Sequence, residues 1–346
     1  MAGLLLPAAS ASASATPAST PEAAAPDGSI GVRLLDAPAG RRDDPRARLY
    51  IVDHLAPGTT IERRIEVSNS TSQAADISVY AGAAAIEDGT FAIADARTPN
   101  ELTTWVSLDR SIVDVPAGGQ SPVRVTIDVP DDASAGERYG VIWAELAGQA
   151  PDDGGVTVVN RVGIRVYLSV GPGGEPASDF QVDTLTAERT SDGQPIVNAL
   201  VHNTGGRALD MSGSLQLSNG PGGLSAGPFP AELGTTLAPG DSEAVTVLLD
   251  PRLPDGPWDA RLDLTSGLIT RTAEATITFP ADAGRAAPVP AQDTGWGLRW
   301  VLLILGAALL VALLLFLLLR RRRRRQERDQ PPGPRDHDPG DRRRLP

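Results

Sequence analysis

Val123-Arg124-Val125-Thr126-Ile127-Asp128-Val129 alternates apolar and polar side chains without a break. A period of two sends one set of side chains to each side of an extended chain, so this stretch predicts a strand with one buried face and one wet face. Pro116-Ala117-Gly118 precedes it and Pro130 follows it, and both are turn chemistry. Further out, the pattern returns in Ile61-Glu-Arg-Arg-Ile65-Glu-Val67, in Arg165-Val-Tyr167-Leu-Ser169-Val, and in Ala244-Val-Thr246-Val-Leu248. No segment before residue 298 carries sustained helical periodicity. Residues 30–280 therefore predict an all-β architecture of antiparallel, two-sheet, immunoglobulin-like sandwiches.

The turn grammar occurs twice. Val67-Ser-Asn69-Ser-Thr71 ends a strand in the first half, and Val201-His-Asn203-Thr-Gly205 does so in the second. Pro116-Ala-Gly118 and Pro239-Gly240 each open a later strand. A Pro-to-Gly loop and an aromatic then lead into another: Pro130, Gly136 and Tyr139 in one half, Pro251, Gly256 and Trp258 in the other. This echo predicts a duplicated unit. The boundary is placed at Gly171-Pro-Gly-Gly-Glu-Pro176, the densest break between two strand-rich stretches. The expected sandwiches are residues 30–171 and 176–280, each long enough to bury a core. Gly148 to Gly155 reads as a hairpin loop inside the first.

Outside this β-rich region, Trp300 to Leu319 is an unbroken run of apolar and small residues, followed by Arg320, Arg321, Arg322 and three more arginines. Twenty helical residues span roughly 30 Å, the thickness of a bilayer core. Residues 298–319 are therefore expected to form one transmembrane helix. Trp300 and Leu319 bound the anchor, and Arg320, Arg321 and Arg322 hold the tail, residues 320–346, on the cytoplasmic side. Trp296 and Trp300 suit the outer interfacial belt. Residues 281–297 read as a Pro/Ala stalk. Gln292-Asp-Thr294-Gly295 matches a cell-wall sorting signal only at Thr-Gly, so retention of the anchor is expected.

The chain has no cysteine, and its 31 basic residues are all Arg. A disulfide framework, thiol catalysis and Cys-ligated metal are excluded. Such a disulfide-free exterior suits a bacterial surface protein with self-sufficient cores. The net charge of −12 divides into a tail of +6 and −18 before it. An acidic exterior argues against nucleic acid and anionic polymers as ligands. Export requires a leader, yet residues 1–29 lack a basic n-region and their apolar stretch, Leu4 to Leu6, is short. They read as a truncated or atypical signal region, with a late-assigned start, running into an Ala/Ser/Pro spacer.

Chemistry-bearing motifs are sparse. His54, His202 and His337 have no metal-ligand spacing, so no metal site is expected. There is no G-x-S-x-G elbow and no phosphate-binding glycine loop. Asp131-Asp132 and Asp152-Asp153 read as solvated turn carboxylates. No catalytic or cofactor-binding residue is assigned, and the protein is not expected to be an enzyme. Aromatics concentrate in the first unit: Tyr50, Tyr80, Phe91, Trp105, Tyr139, Trp143 and Tyr167. Alternating-strand aromatics usually face a core. Trp105 follows the polar stretch Arg97 to Thr104, so it is the ring expected to stand exposed and the one candidate for ligand binding.

Tyr50 with Pro57-Gly58, Ile65-Glu-Val67-Ser-Asn69, Trp105, Pro116-Ala-Gly118 and Val129-Pro130 to Gly136 resemble the peptidoglycan-binding domain of the WxL-interacting proteins. Val162-Gly-Ile164-Arg-Val166-Tyr167-Leu-Ser-Val170 resembles its closing strand. The match covers residues 30–171. The resemblance implies a Gram-positive cell-surface protein, with a second β-sandwich, a membrane helix and a basic tail. It also implies that peptidoglycan or a WxL-type surface protein is the partner. The expected function is non-catalytic binding of one of these through the outer sandwiches. The alternative is an accessory or scaffold subunit of an envelope complex.

Overall fold

The computed structural model describes residues 29–95, 97–148 and 158–293, together with Gly306, Ala307, Leu309 and Val311. Those four are helical. The remaining residues of the expected span, with Trp300, Leu319, Arg320, Arg321 and Arg322, lie outside the described residues, as do residues 1–28. Among the described residues no helix is long and apolar enough to cross a membrane.

The chain is mostly β. The first unit comprises β1 (Ile30–Leu34), the short helix α1 (Pro45–Leu49), β2 (Ile51–Leu55), β3 (Thr60–Asn69), β4 (Ala75–Glu87), β5 (Thr90–Ile93), the short helix α2 (Glu101–Trp105), β6 (Val106–Leu108), β7 (Ile112–Val115), β8 (Gln120–Asp128), β9 (Gly136–Ala147) and β10 (Val159–Val170). One sheet has the order β1-β3-β8-β6. The other has the order β2-β10-β9-β4-β5, with β7 also against β4. The first leg of the chain thus serves both sheets: β1 pairs antiparallel with β3, and β2 pairs parallel with β10. This is an immunoglobulin-like sandwich. Val123, Val125 and Ile127 of the alternating stretch are buried, and they meet Ile142, Ile164 and Val166 of the opposite sheet in one core.

The second unit repeats the plan. It holds β11 (Phe180–Arg189), β12 (Pro195–Asn203), β13 (Leu209–Asp210), β14 (Ser212–Ser218), β15 (Ala226–Pro230), β16 (Thr236–Leu237), β17 (Ser242–Leu248), β18 (Trp258–Ser266) and β19 (Ile269–Ile277). The order β17-β12-β11 faces the order β15-β14-β18-β19. Its separate core is built on Leu215, Val247, Trp258 and Leu262.

A buried asparagine closes the same corner in both units. Asn69 Nδ2 donates to Gln73 O (2.8 Å) and Val115 O (3.0 Å), and its Oδ1 accepts from Thr71 N (3.0 Å). Asn203 Nδ2 donates to Arg207 O (2.8 Å), Leu237 O (3.2 Å) and Ala238 O (3.0 Å), and its Oδ1 accepts from Gly205 N (3.0 Å). The offsets are two and four residues in each case. Buried carbonyls need partners, and here one amide side chain ties a strand end to the Pro-Gly turn across the sandwich. The echo in the sequence is this device.

The structure corrects two expectations. Residues 281–293 are not wholly an extended stalk. They return against the second unit as β20 (Gly284–Arg285), β21 (Val289–Pro290) and β22 (Gln292–Asp293), which pair with β11 and β19. The reason is that these sheet margins leave backbone groups to satisfy, and Ala286 and Ala291 pack on the core. Trp105 is not exposed. Asn100 and Thr103 form a capping box that starts α2. That single turn rolls Leu102 and Trp105 into the first core, leaving Trp105 8% exposed, with the Arg138 guanidinium over its ring at 5.0 Å. Five residues are too few to show helical periodicity.

Candidate binding face and the elbow between units

The site is built on the outer face of the β2-β10-β9-β4-β5 sheet. The core takes Ile164, Val166 and Leu168 from β10, so alternation turns Arg161, Gly163, Arg165 and Tyr167 outward. Register places Tyr167 opposite Tyr139, Arg165 opposite Val141, Gly163 opposite Trp143, and Arg161 opposite Glu145. On the other side of β9, Tyr80 of β4 lies opposite Trp143. Sequence alone distributes these rings among three strands. The sheet gathers them into a second apolar cluster with Phe91 and Ala208.

One end of this face is covered by the second unit. Tyr167 touches Tyr50, Phe91 and Tyr139 at centroid distances of 5.7, 5.2 and 6.0 Å. Its hydroxyl donates to Asp210 Oδ1 at 2.7 Å. Asp210 also accepts from Arg46 Nε (2.8 Å), Arg165 Nη1 (3.3 Å) and the Thr236 hydroxyl (2.9 Å). Burial beside this carboxylate pushes the Tyr167 phenol well above its usual range, so the neutral donor is retained. Beside it, Glu137 Oε2 accepts from Ala208 N (2.6 Å) and the Tyr139 hydroxyl (2.8 Å). Burial pushes the Glu137 carboxyl up, opposed by these two hydrogen bonds. Arg207 is 1% exposed, pairs with Glu137 (3.5 Å) and with Glu175 of the linker, and donates to Asp53 O (3.3 Å). Thr236 N donates to Gly89 O (2.7 Å). The elbow is thus a buried polar network with aromatic walls, and it fixes how the two units meet.

The other end carries Tyr80 and Trp143. Gly163 is the cradle for the indole: a Cβ there would sit 2.6 Å from the Trp143 ring and 2.5 Å from Val141 Cγ1. Arg161 lies 4.3 Å over Trp143, and Arg97 lies 3.8 Å over Tyr80. Each guanidinium covers a ring face, so Trp143 is only 7% exposed. The Tyr80 hydroxyl donates to Glu145 Oε2 at 2.5 Å.

Trp105 belongs to the core and not to this face. His54 Nδ1 is 3.2 Å from Ser169 Oγ, and His202 Nδ1 is 2.9 Å from Ser242 Oγ. Among the described residues no cluster of His, Asp and Glu could hold a metal. Arg207, Asp210 and Glu137 carry no motif that marks them in the sequence. The one available signal was the Asn203 corner, which delivers Arg207 into the elbow.

No family model and no curated protein matches the chain. Among solved structures it is similar to the YadV chaperone, at 10% identity over 74% of this chain and 98% of that one, with a TM-score of 0.36. It is also similar to a Salmonella enterica SafA pilin in complex with the SafB chaperone, at 11% identity over 76% and 95%, TM-score 0.39. The E. coli chaperone DraB gives 12% identity over 66% and 95%, TM-score 0.36. Superposition this loose carries no functional argument.

Proposed function

We propose that the chain is a non-catalytic, single-pass cell-surface protein whose sandwiches bind a wall-associated surface protein. The observation that supports a protein over the peptidoglycan glycan is the placement of the rings. Tyr80, Phe91, Trp105, Trp143 and Tyr167 of the first unit are all buried. Sugar recognition uses open ring faces, and these rings are covered by core, by arginine or by the second unit. The acidic balance of the exterior also disfavours anionic wall polymers. Orientation follows from the apolar run and its arginines. The buried elbow favours a second reading, an accessory subunit that holds another envelope protein at a set angle.

Sedimentation of the full-length chain with wall preparations tests this reading. Walls that retain their surface proteins are expected to carry the chain down, and walls stripped to bare peptidoglycan are not. Equal sedimentation with stripped walls assigns the glycan as ligand. No sedimentation with either preparation removes wall binding altogether.

A further inference from the structure

The hydrogen-bond pairing of β10 is lopsided. Its twelve residues pair with β9 from Val159 to Val170, but β2 covers only Val166 to Val170 on the other side. Gly171 N donates to Leu55 O, so the odd-numbered backbone groups of this strand point to the β2 side. Among the described residues no strand pairs with Val159, Arg161 or Gly163 on that side, so their backbone donors and acceptors form an unpaired edge, with β1 nearby but hydrogen-bonded to β3. Tyr50, 5.6 Å from the Arg165 guanidinium, bounds the free stretch at its far end. Val159 is 52% exposed at its near end.

The side chains along this edge specify what fits. Val162 and Ile164 face the core, with Val32 and Leu34 of β1 in the same seam, so inward positions of an added strand meet apolar groups. Outward positions meet Arg161, and Arg97 lies further across the same face. Among the described residues neither guanidinium is paired with a carboxylate; both rest on rings. Glu145, the nearest acid in register, holds the Tyr80 hydroxyl. Arg161 and Arg97 thus stand on this face as two cations without a carboxylate partner among the described residues.

We propose that the free edge of β10, residues 159–164, takes an extended segment of a wall-associated protein as an added strand. That segment alternates acidic residues, which meet Arg161, with apolar ones, which enter the seam. Backbone pairing supplies affinity, and the outward side chains supply choice. The inference rests on the proposed function for the source of the segment, but its chemistry is testable apart from it.

The test uses the full-length chain and two blocked heptapeptides, one alternating Val and Glu, the other alternating Val and Arg. The acidic peptide is expected to bind more tightly. Arg161→Glu is expected to weaken it about tenfold and reverse the order of the two peptides. Val159→Pro, which removes an edge N–H but no β9 bond, is expected to weaken both. Arg161→Gln serves as a milder variant if circular dichroism shows that Arg161→Glu is unfolded. An unchanged peptide order in folded Arg161→Glu or Arg161→Gln overturns the proposal. So does self-association of the chain that Val159→Pro abolishes, because the edge then belongs to a second copy. Full wall sedimentation by folded Arg161→Glu sinks the edge and leaves wall binding standing. Peptide binding without any wall sedimentation does the reverse.

Discussion

Replacing Asp210 with Ala removes the acceptor at the centre of the elbow. Four groups lose an acceptor at once: Arg46 and Arg165, which keep Ala208 O and the Tyr167 hydroxyl, and the Tyr167 and Thr236 hydroxyls. Breaking a buried ion pair from one side costs about 3–5 kcal/mol, and a stranded buried hydroxyl about 1–3 kcal/mol. Asp210 retains some solvent access, with its side chain 19% exposed, so water can re-satisfy part of the network. The expected loss is therefore about 3 kcal/mol, the low end of that range. Asp210→Asn keeps one acceptor oxygen and the shape, and should lose about half as much. Urea titration followed by tryptophan fluorescence reads both units, because Trp105 and Trp143 report the first and Trp258 the second. At about 2–3 kcal/mol per M, the Ala variant should shift the midpoint down by roughly 1 M. The control is Asp192→Ala, in an exposed turn, with an expected effect within about 0.5 kcal/mol. If Asp210→Ala destabilises no more than this control, the elbow is not the coupled network described.

Three further outcomes are expected. Asn69→Ala and Asn203→Ala each strand buried carbonyls at equivalent corners, so each should destabilise its unit by about 2–3 kcal/mol in the same urea assay. Gly163→Ala drives a methyl into Trp143 and Val141; about 1–3 kcal/mol of overpacking is expected, with a changed near-ultraviolet dichroism of the indole. The Arg64 guanidinium holds the Asp36 carboxyl below its ordinary value. Its contribution is therefore present above the unfolded value of about 3.9 and lost as pH falls through the lower folded value. Asp36→Asn should flatten that acid limb of the stability profile and leave stability trends above pH 6 unchanged.

The amount of this fold that could be read in advance tracks how local its cause is. Alternation in Ile61–Val67 and Val123–Val129 marks strands because side-chain direction is a property of consecutive residues. The paired Asn corners were legible for the same reason, since Asn203 and Arg207 are only four residues apart. The candidate face was not legible. Tyr80, Trp143 and Gly163 become neighbours only through the register of three strands, and Trp143 settles on Gly163 only because that register holds. Trp105 was misread because a single capped turn reverses which way a side chain points.

Residue order alone marks an all-β region of two like units, a net acidic stretch before residue 320 and an apolar run stopped by arginines. Those follow from composition and from short-range periodicity. The burial of Arg207, the gathering of four donors from both units on Asp210, and the pairing of β2 with only Val166–Val170 of β10 among the described residues come from the three-dimensional packing. A charge in a sequence carries no record of what will stand opposite it. That is settled when two sheets and two units close on one another, because the free energy of a buried ion depends on partners far away along the chain.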